Sequence, residues 1–350
     1  ARIRITGGKS VELRGRIGLP VTTTDAKRSA PRSSHSIWVA SGIFLSRLAG
    51  LVRERVFAHY FGNSDAGDAF KAALKIPNFL QNLFGEGVLS ASFIPVYARL
   101  LALDERETAR RVAWTVAALL SIVVSILVLA GVFATPYLID AIAPGFVGEK
   151  RELTIRIVRV LFPATGVLVL SAWCLGVLNS HRRFFLSYAA PVLWNLAIIA
   201  TLLFFGSRHD MNRLAIDAAW GLFAGSMLQL LAQLPFAWRA AGALGRARAE
   251  DRQAIGQVTR SFVPVVMGRG VVQVSAYVDN LIASLLPTGA VSAISYAQTL
   301  YLLPISLFGM AVSAAELPEL SAVGAADETA RAKLRHRLEV GLARISFFVI

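Results

Sequence analysis

Eight apolar stretches of about twenty to thirty residues recur along the chain, at approximately 37–60, 69–98, 112–139, 154–178, 185–206, 214–238, 257–286 and 289–315, and a ninth begins near 338. About 20 apolar residues are what a helix needs to cross the hydrocarbon core. A bilayer offers no water to the backbone, so each crossing must satisfy its own N–H and C=O groups, which makes these segments helices. Composition agrees: 55% of residues are hydrophobic and 17% are charged, against about 25% charged in soluble domains. The chain reads as an all-α, polytopic membrane protein. It starts on Ala1 and ends on Phe347, Phe348, Val349 and Ile350, inside the ninth run, as a fragment of a longer protein would.

Residues 1–36 are polar and basic and read as a disordered tail. A signal peptide is the alternative, with Ile37–Leu45 as its apolar core, but no cleavage site follows and the segment runs on. The net charge of +14 admits nucleic-acid binding or cytoplasmic loops rich in arginine. Loop charge favours the second. If the tail is cytoplasmic, the inside loops 99–111, 179–184, 239–256 and 316–337 carry 14 basic residues; the outside loops hold 4, Lys150, Arg151, Arg208 and Arg213. Eight more lie in the tail. The N-terminus is therefore expected inside. The longest loop within the first seven spans, Arg239–Gly256, follows the sixth and reads as a hinge between two bundles, a plan common in transporters. The expected domains are the tail, a six-helix lobe over 37–242, and the start of a second lobe over 243–350.

Charge lies where lipid is expected. Asp68, Lys71, Lys75, Asn78, Asn82 and Glu86 stand in the second span at offsets that fall within about 80° on a helix. Intramembrane charges rarely persist unless they face protein or trapped water. An Asp68–Lys71 pair that only fixes the bundle is the alternative. Pro77 removes a backbone donor from this span, and Gly85 and Gly87 loosen the turn around Glu86. The first span carries Ser46, Arg47, Arg53, Glu54 and Arg55. Arg55 can snorkel to the interface; Arg47, roughly ten residues in, cannot. The seventh span places Arg269, Gln273, Asn280 and Ser284 on one face with Asp279 at its edge, and the eighth aligns Ser292, Ser295, Thr299 and Ser306.

Arginines in a polar cavity suit a phosphate or diphosphate, because their planar forks bind paired oxygens and stay charged when desolvated. The single cysteine, Cys174, has no disulfide partner, and the five histidines show no metal-ligand spacing. With no phosphate loop or nucleophile beside a base, neither an enzyme nor a metal or other cofactor is expected.

The stretch Ser46–Ala98, SRLAGLVRERVFAHYFGNSDAGDAFKAALKIPNFLQNLFGEGVLSASFIPVYA, closely resembles the MurJ/MviN family of lipid II flippases. So do APGF at Ala143–Phe146, RIVRVLFP at Arg156–Pro163, LNSHRRFFLSYAAPVLWNLAII at Leu178–Ile199 and AAWGLFAGSMLQLLAQLP at Ala218–Pro235. The resemblance implies fourteen helices in two lobes, within the multidrug/oligosaccharidyl-lipid/polysaccharide exporter superfamily. It implies movement of the undecaprenyl-diphosphate-linked cell-wall precursor, lipid II, across the bacterial inner membrane by alternating access. Its implied partners are lipid II, membrane lipids and cell-wall synthesis proteins. The family's cavity residues carry over at Ser46, Arg47, Arg53, Asp68, Lys75 and Glu86. On that basis Arg47, Arg53 and Lys75 hold the diphosphate, and Ser46, Asp68 and Glu86 belong to the cavity and its switch. Two departures stand out: the family often has arginine where this chain has Gln81 and Thr299. Arg269 is the candidate to replace the lost charge. Rival readings are export of another polyprenyl-linked saccharide or of small cations, and a scaffold that binds the lipid without moving it.

Overall fold

The computed structural model describes residues 33–245, 248–302 and 339. The tail before 33, Ser306 and the ninth apolar run's start fall outside the described residues, as does the 316–337 loop. Helices follow one another through short connections: α1 Ser33–Phe61, α2 Asp65–Phe84, α3 Glu86–Ala102, α4 Arg106–Ile142, α5 Gly148–Ser180, α6 Phe184–Phe205, α7 Met211–Ala241 and α8 Arg252–Ser284. Helical geometry resumes over 290–302, here α9.

The second apolar run, read as one span over 69–98, is two helices meeting at Gly85. Pro77 sits inside α2 without ending it. The break needs glycine for space: a Cβ on Gly85 would lie 2.2 Å from the Gln81 carbonyl oxygen. The ladder restarts at once, because Val88 and Leu89 both donate to the Gly85 carbonyl at 3.2 Å. The other spans described from end to end match their apolar runs to within several residues.

Among the described residues four helices, α4 to α7, are long and apolar enough to cross a membrane. The charges carried by α1, α2 and α8 lower their hydropathy. Helix α5 is the hub, packed against α7, α2, α4 and α3, and buried along most of its length. Helix α4 is amphipathic in the membrane sense. Ile122, Ile126, Leu129, Phe133 and Tyr137 form an exposed apolar stripe, while Leu120, Val124, Gly131, Thr135 and Ile139 face protein. Helix α6 closes the bundle between α1 and α7.

The connection after α7 is pinned to α4. Gly242, at φ 83°, terminates α7, and its carbonyl accepts from Trp114 Nε1 at 3.1 Å. Arg111 then grips Asp251 with two bonds, Nε at 2.8 Å and Nη2 at 3.0 Å. Burial alone would raise the Asp251 carboxyl, but the Arg111 guanidinium and the Arg248 backbone N–H overcome it and hold it below the usual carboxylate range.

Candidate functional site: a polar chamber and its seal

Helix α1 turns one face to a chamber of about 740 Å³, presenting Ser46, Arg47, Gly50, Arg53 and Glu54. The facing walls come from Ser171 on α5, from Ser187, Tyr188, Trp194 and Asn195 on α6, and from Gln229 on α7. Gln81 of α2 and Thr299 of α9 complete the lining. The i, i+3/i+4 spacing of the α1 residues is what brings them to one side. Both positions where the family often has arginine therefore border this chamber, filled here by an amide and a hydroxyl.

Arg53 is held from three directions. Its Nη2 bonds Glu54 Oε1 at 2.7 Å, its Nη1 bonds Asn195 Oδ1 at 3.1 Å, and its guanidinium lies 4.7 Å from the Trp194 ring centroid. The other Glu54 oxygen accepts from Lys71 Nζ, which also lies over the Phe57 ring at 4.4 Å. Arg53, Glu54 and Lys71 thus form a cation–anion–cation cluster across α1 and α2. Arg47 is exposed to the chamber and makes no ion pair among the described residues.

Asp68, expected in the cavity, is elsewhere. It is 1% exposed and lies where the 61–65 connection meets the start of α9. Its Oδ2 accepts from the Gly289 backbone N–H at 2.7 Å and from Lys150 Nζ at 2.8 Å, while its Oδ1 accepts from the Ser292 N–H at 2.8 Å. One carboxylate from α2 therefore caps α9 and binds α5. An Asp68–Lys71 pair does not form, because Lys150 and Glu54 take the two partners. Beside Asp68, Asn280 Nδ2 donates to the Ile142 carbonyl at 3.2 Å, and Gly145 N–H meets Ser284 Oγ at 3.4 Å. A Cβ on Gly145 would lie 2.0 Å from the Ser284 carbonyl oxygen, so the APGF loop touches α8 backbone to backbone. Ala72, Ala143, Phe146, Ala283 and Val291 fill the space between as an apolar plug. These contacts seal α1–α7 against α8 and α9 at this end.

Two further candidates lie outside the chamber lining. Lys75 Nζ reaches Gln298 Oε1 at 3.3 Å, and its carbonyl accepts from Tyr277 Oη at 3.1 Å. Arg269 spreads its guanidinium on the backbone of Gly87, where a Cβ would lie 2.0 Å from Cζ. Its charge therefore does not stand in for an arginine at Gln81 or Thr299 in this arrangement. Of the stripe on the second span, Asp68 and Lys71 are buried and Asn78 and Asn82 are exposed. The side chains of Glu86 and Gln273 are outside the described residues.

Several site residues escaped the sequence. Glu54 was visible as a charge of the first span, but its bonds to Arg53 and Lys71 were not. Lys150 read as a loop charge. Trp194, Asn195, Ser171 and Gln229 sit in apolar runs with little signal beyond the paired glutamines, Gln229 and Gln233, one turn apart.

Solved structures share this helix arrangement. A transporter of the MOP superfamily from Pyrococcus furiosus matches with a TM-score of 0.60 at 17% identity, over 89% of this chain and 66% of that one. The chain thus shares the helical fold of that transporter. A solved lipid II flippase MurJ in an inward closed conformation gives a TM-score of 0.72 at 26% identity, covering 89% of this chain and 63% of that chain. The family model described as lipid II flippase MurJ matches residues 57–350, so the chain belongs to the MurJ family. A probable lipid II flippase MurJ of Haemophilus influenzae is 35% identical over 288 residues, which are 79% of this chain and 56% of that protein. The chain spans just over half the length of the curated relatives it matches.

Proposed function

We propose that the full-length protein moves lipid II, the undecaprenyl-diphosphate-linked precursor of peptidoglycan, from the inner to the outer leaflet of the bacterial inner membrane by alternating access. The observation that carries this reading is a cation-lined chamber beside a seal built from both halves of the chain. The N-terminus is cytoplasmic, so the Asp68 seal faces outward and this arrangement is the state closed to the outside. The first lobe ends near residue 242, where the linker is pinned by Arg111, and the second begins at 243.

Arg47 and Arg53 hold the diphosphate. Arg47 is free to do so at once. Arg53 must loosen its hold on Glu54, and Lys71 is placed to take up the carboxylate, so substrate binding redistributes one buried counter-charge. Release of the Asp68 bonds frees α9 and α5, and with them the Lys75–Gln298 contact. Such a switch works only if each state makes different contacts, with a few kcal/mol between them. No bond is made or broken in the substrate; an inside-negative potential drives the anionic head outward with about 2.3 kcal/mol per charge per 100 mV. Depleting the full-length protein and measuring which leaflet holds lipid II tests the proposal. Accumulation in the inner leaflet, reversed by the wild-type gene and not by Arg47→Ala, supports it; unchanged leaflet distribution refutes it.

A further inference from the structure

The chamber has a second chemistry that the arginines do not explain. The two arginines of its α1 face can only donate, since a guanidinium cannot accept a hydrogen bond, and both Glu54 oxygens are already taken by Arg53 and Lys71. On the opposite side, three helices bury a chain of uncharged polar groups among apolar residues. Ser171 is 1% exposed, Ser187 and Gln233 are 0% exposed, and Gln229 is 9% exposed. The order of the bonds fixes the direction of every amide. The Ser187 carbonyl can only accept, so the Gln233 group facing it at 3.5 Å is the amide nitrogen. Gln233 Oε1 then faces Ser171, whose hydroxyl donates to it at 2.5 Å. The Ser171 oxygen has its lone pairs left for Gln229, whose Nε2 donates to it at 2.9 Å. Gln229 lines the chamber, and its Oε1 receives no donor among the described residues. Three successive bonds are thus spent on aiming one carbonyl oxygen. Burying amides in a membrane bundle is costly unless they are paired, and apolar side chains of the same size would pack α5 against α7 without that cost.

We propose that Gln229 is a specificity-determining contact for the uncharged saccharide part of the transported head group, with Ser171 and Gln233 as positioning residues. Its Oε1 accepts from a ligand hydroxyl or amide N–H while Arg47 and Arg53 take the diphosphate. This rests on the proposed transport of a polyprenyl-diphosphate-linked saccharide, and assigns its recognition to a wall of the chamber that carries no charge.

The test compares two ligands on the purified full-length protein in nanodiscs: bare undecaprenyl diphosphate and lipid II. The readout is the ratio of their affinities, with melting temperature as the check on folding. Wild type is expected to prefer lipid II. Gln229→Leu is expected to lower that preference about tenfold, the worth of one hydrogen bond. Ser171→Ala, which breaks the relay without touching the ligand, should lower it by a smaller factor. Arg47→Gln should weaken both ligands and leave the ratio alone. The inference is overturned if Gln229→Leu and Ser171→Ala leave the ratio at the wild-type value while both proteins remain folded, or if wild type binds the two lipids equally. Failure of wild type to bind either lipid would instead sink the proposed function.

Discussion

Replacing Asp68 by asparagine should open the seal. The carboxylate accepts from two backbone N–H groups and from Lys150, all at 2.7–2.8 Å and away from solvent. An asparagine keeps one acceptor oxygen and turns an NH₂ toward a donor that formerly faced an oxygen. At least one charge-assisted bond is lost, worth about 1.5–3 kcal/mol. Lys150 keeps its second partner, Asp65 Oδ1 at 2.8 Å, which limits the loss. Each 1.4 kcal/mol is a factor of ten, so the equilibrium between sealed and open states should move by roughly 10- to 100-fold toward open. Spin labels on Asn63 and Ala293, both exposed and on opposite sides of the seal, report it by double electron–electron resonance on the full-length protein. Labelling is clean within these residues because Cys174, the only cysteine of the 350, is fully buried. A longer-distance population that grows in Asp68→Asn, and grows less in Asp68→Glu, is expected. Identical distance distributions in wild type and Asp68→Asn would refute the reasoning.

Three other outcomes follow from local chemistry. Glu54→Gln leaves Lys71 buried without a counter-charge and should lower stability by about 3 kcal/mol, with much of the loss recovered in the Glu54→Gln/Lys71→Met double variant, both read as thermal melts in detergent. Gly85→Ala forces a Cβ against the Gln81 carbonyl oxygen and should cost about 1–3 kcal/mol, whereas Gly268→Ala, where a Cβ meets nothing within 4 Å, should leave the melt unmoved. The Asp251 carboxyl is held below its ordinary range, so its contribution is complete above the unfolded value near pH 4 and disappears as pH falls through the lower folded value. Asp251→Asn should therefore melt lower than wild type at pH 7, with the difference shrinking as the pH falls below about 4.

Much of the fold was legible because a bilayer leaves little choice. Apolar length located α1 and α4 through α8, and the glycines at 85 and 87 marked where the second crossing loosens. The residue at which it breaks depends on the approach of the Gln81 carbonyl, a three-dimensional fact. On α1, the family resemblance grouped Ser46, Arg47 and Arg53 as cavity residues, and the structure places them in one chamber. On α2, spacing put Asp68 and Lys71 in one stripe turned from lipid, with a pair between them as the alternative; both are buried, but not as a pair. Their actual partners, Lys150 and Glu54, lie 82 residues after and 17 residues before them, at separations where periodicity carries no information. The amide relay was less visible still: Ser171 and Gln229 lie 58 residues apart in runs that hydropathy treats as plain lipid-spanning segments.

Whether the α1 cations meet substrate in a wet hollow is best settled by thiol accessibility at Ser46. In the full-length protein with Ser46→Cys, a membrane-impermeant maleimide should react from the cytoplasmic side, and saturating lipid II should protect the thiol, with protection lost in the Arg47→Gln background. A thiol that stays unreactive in the folded protein, or one labelled at the same rate with and without lipid II, would contradict this.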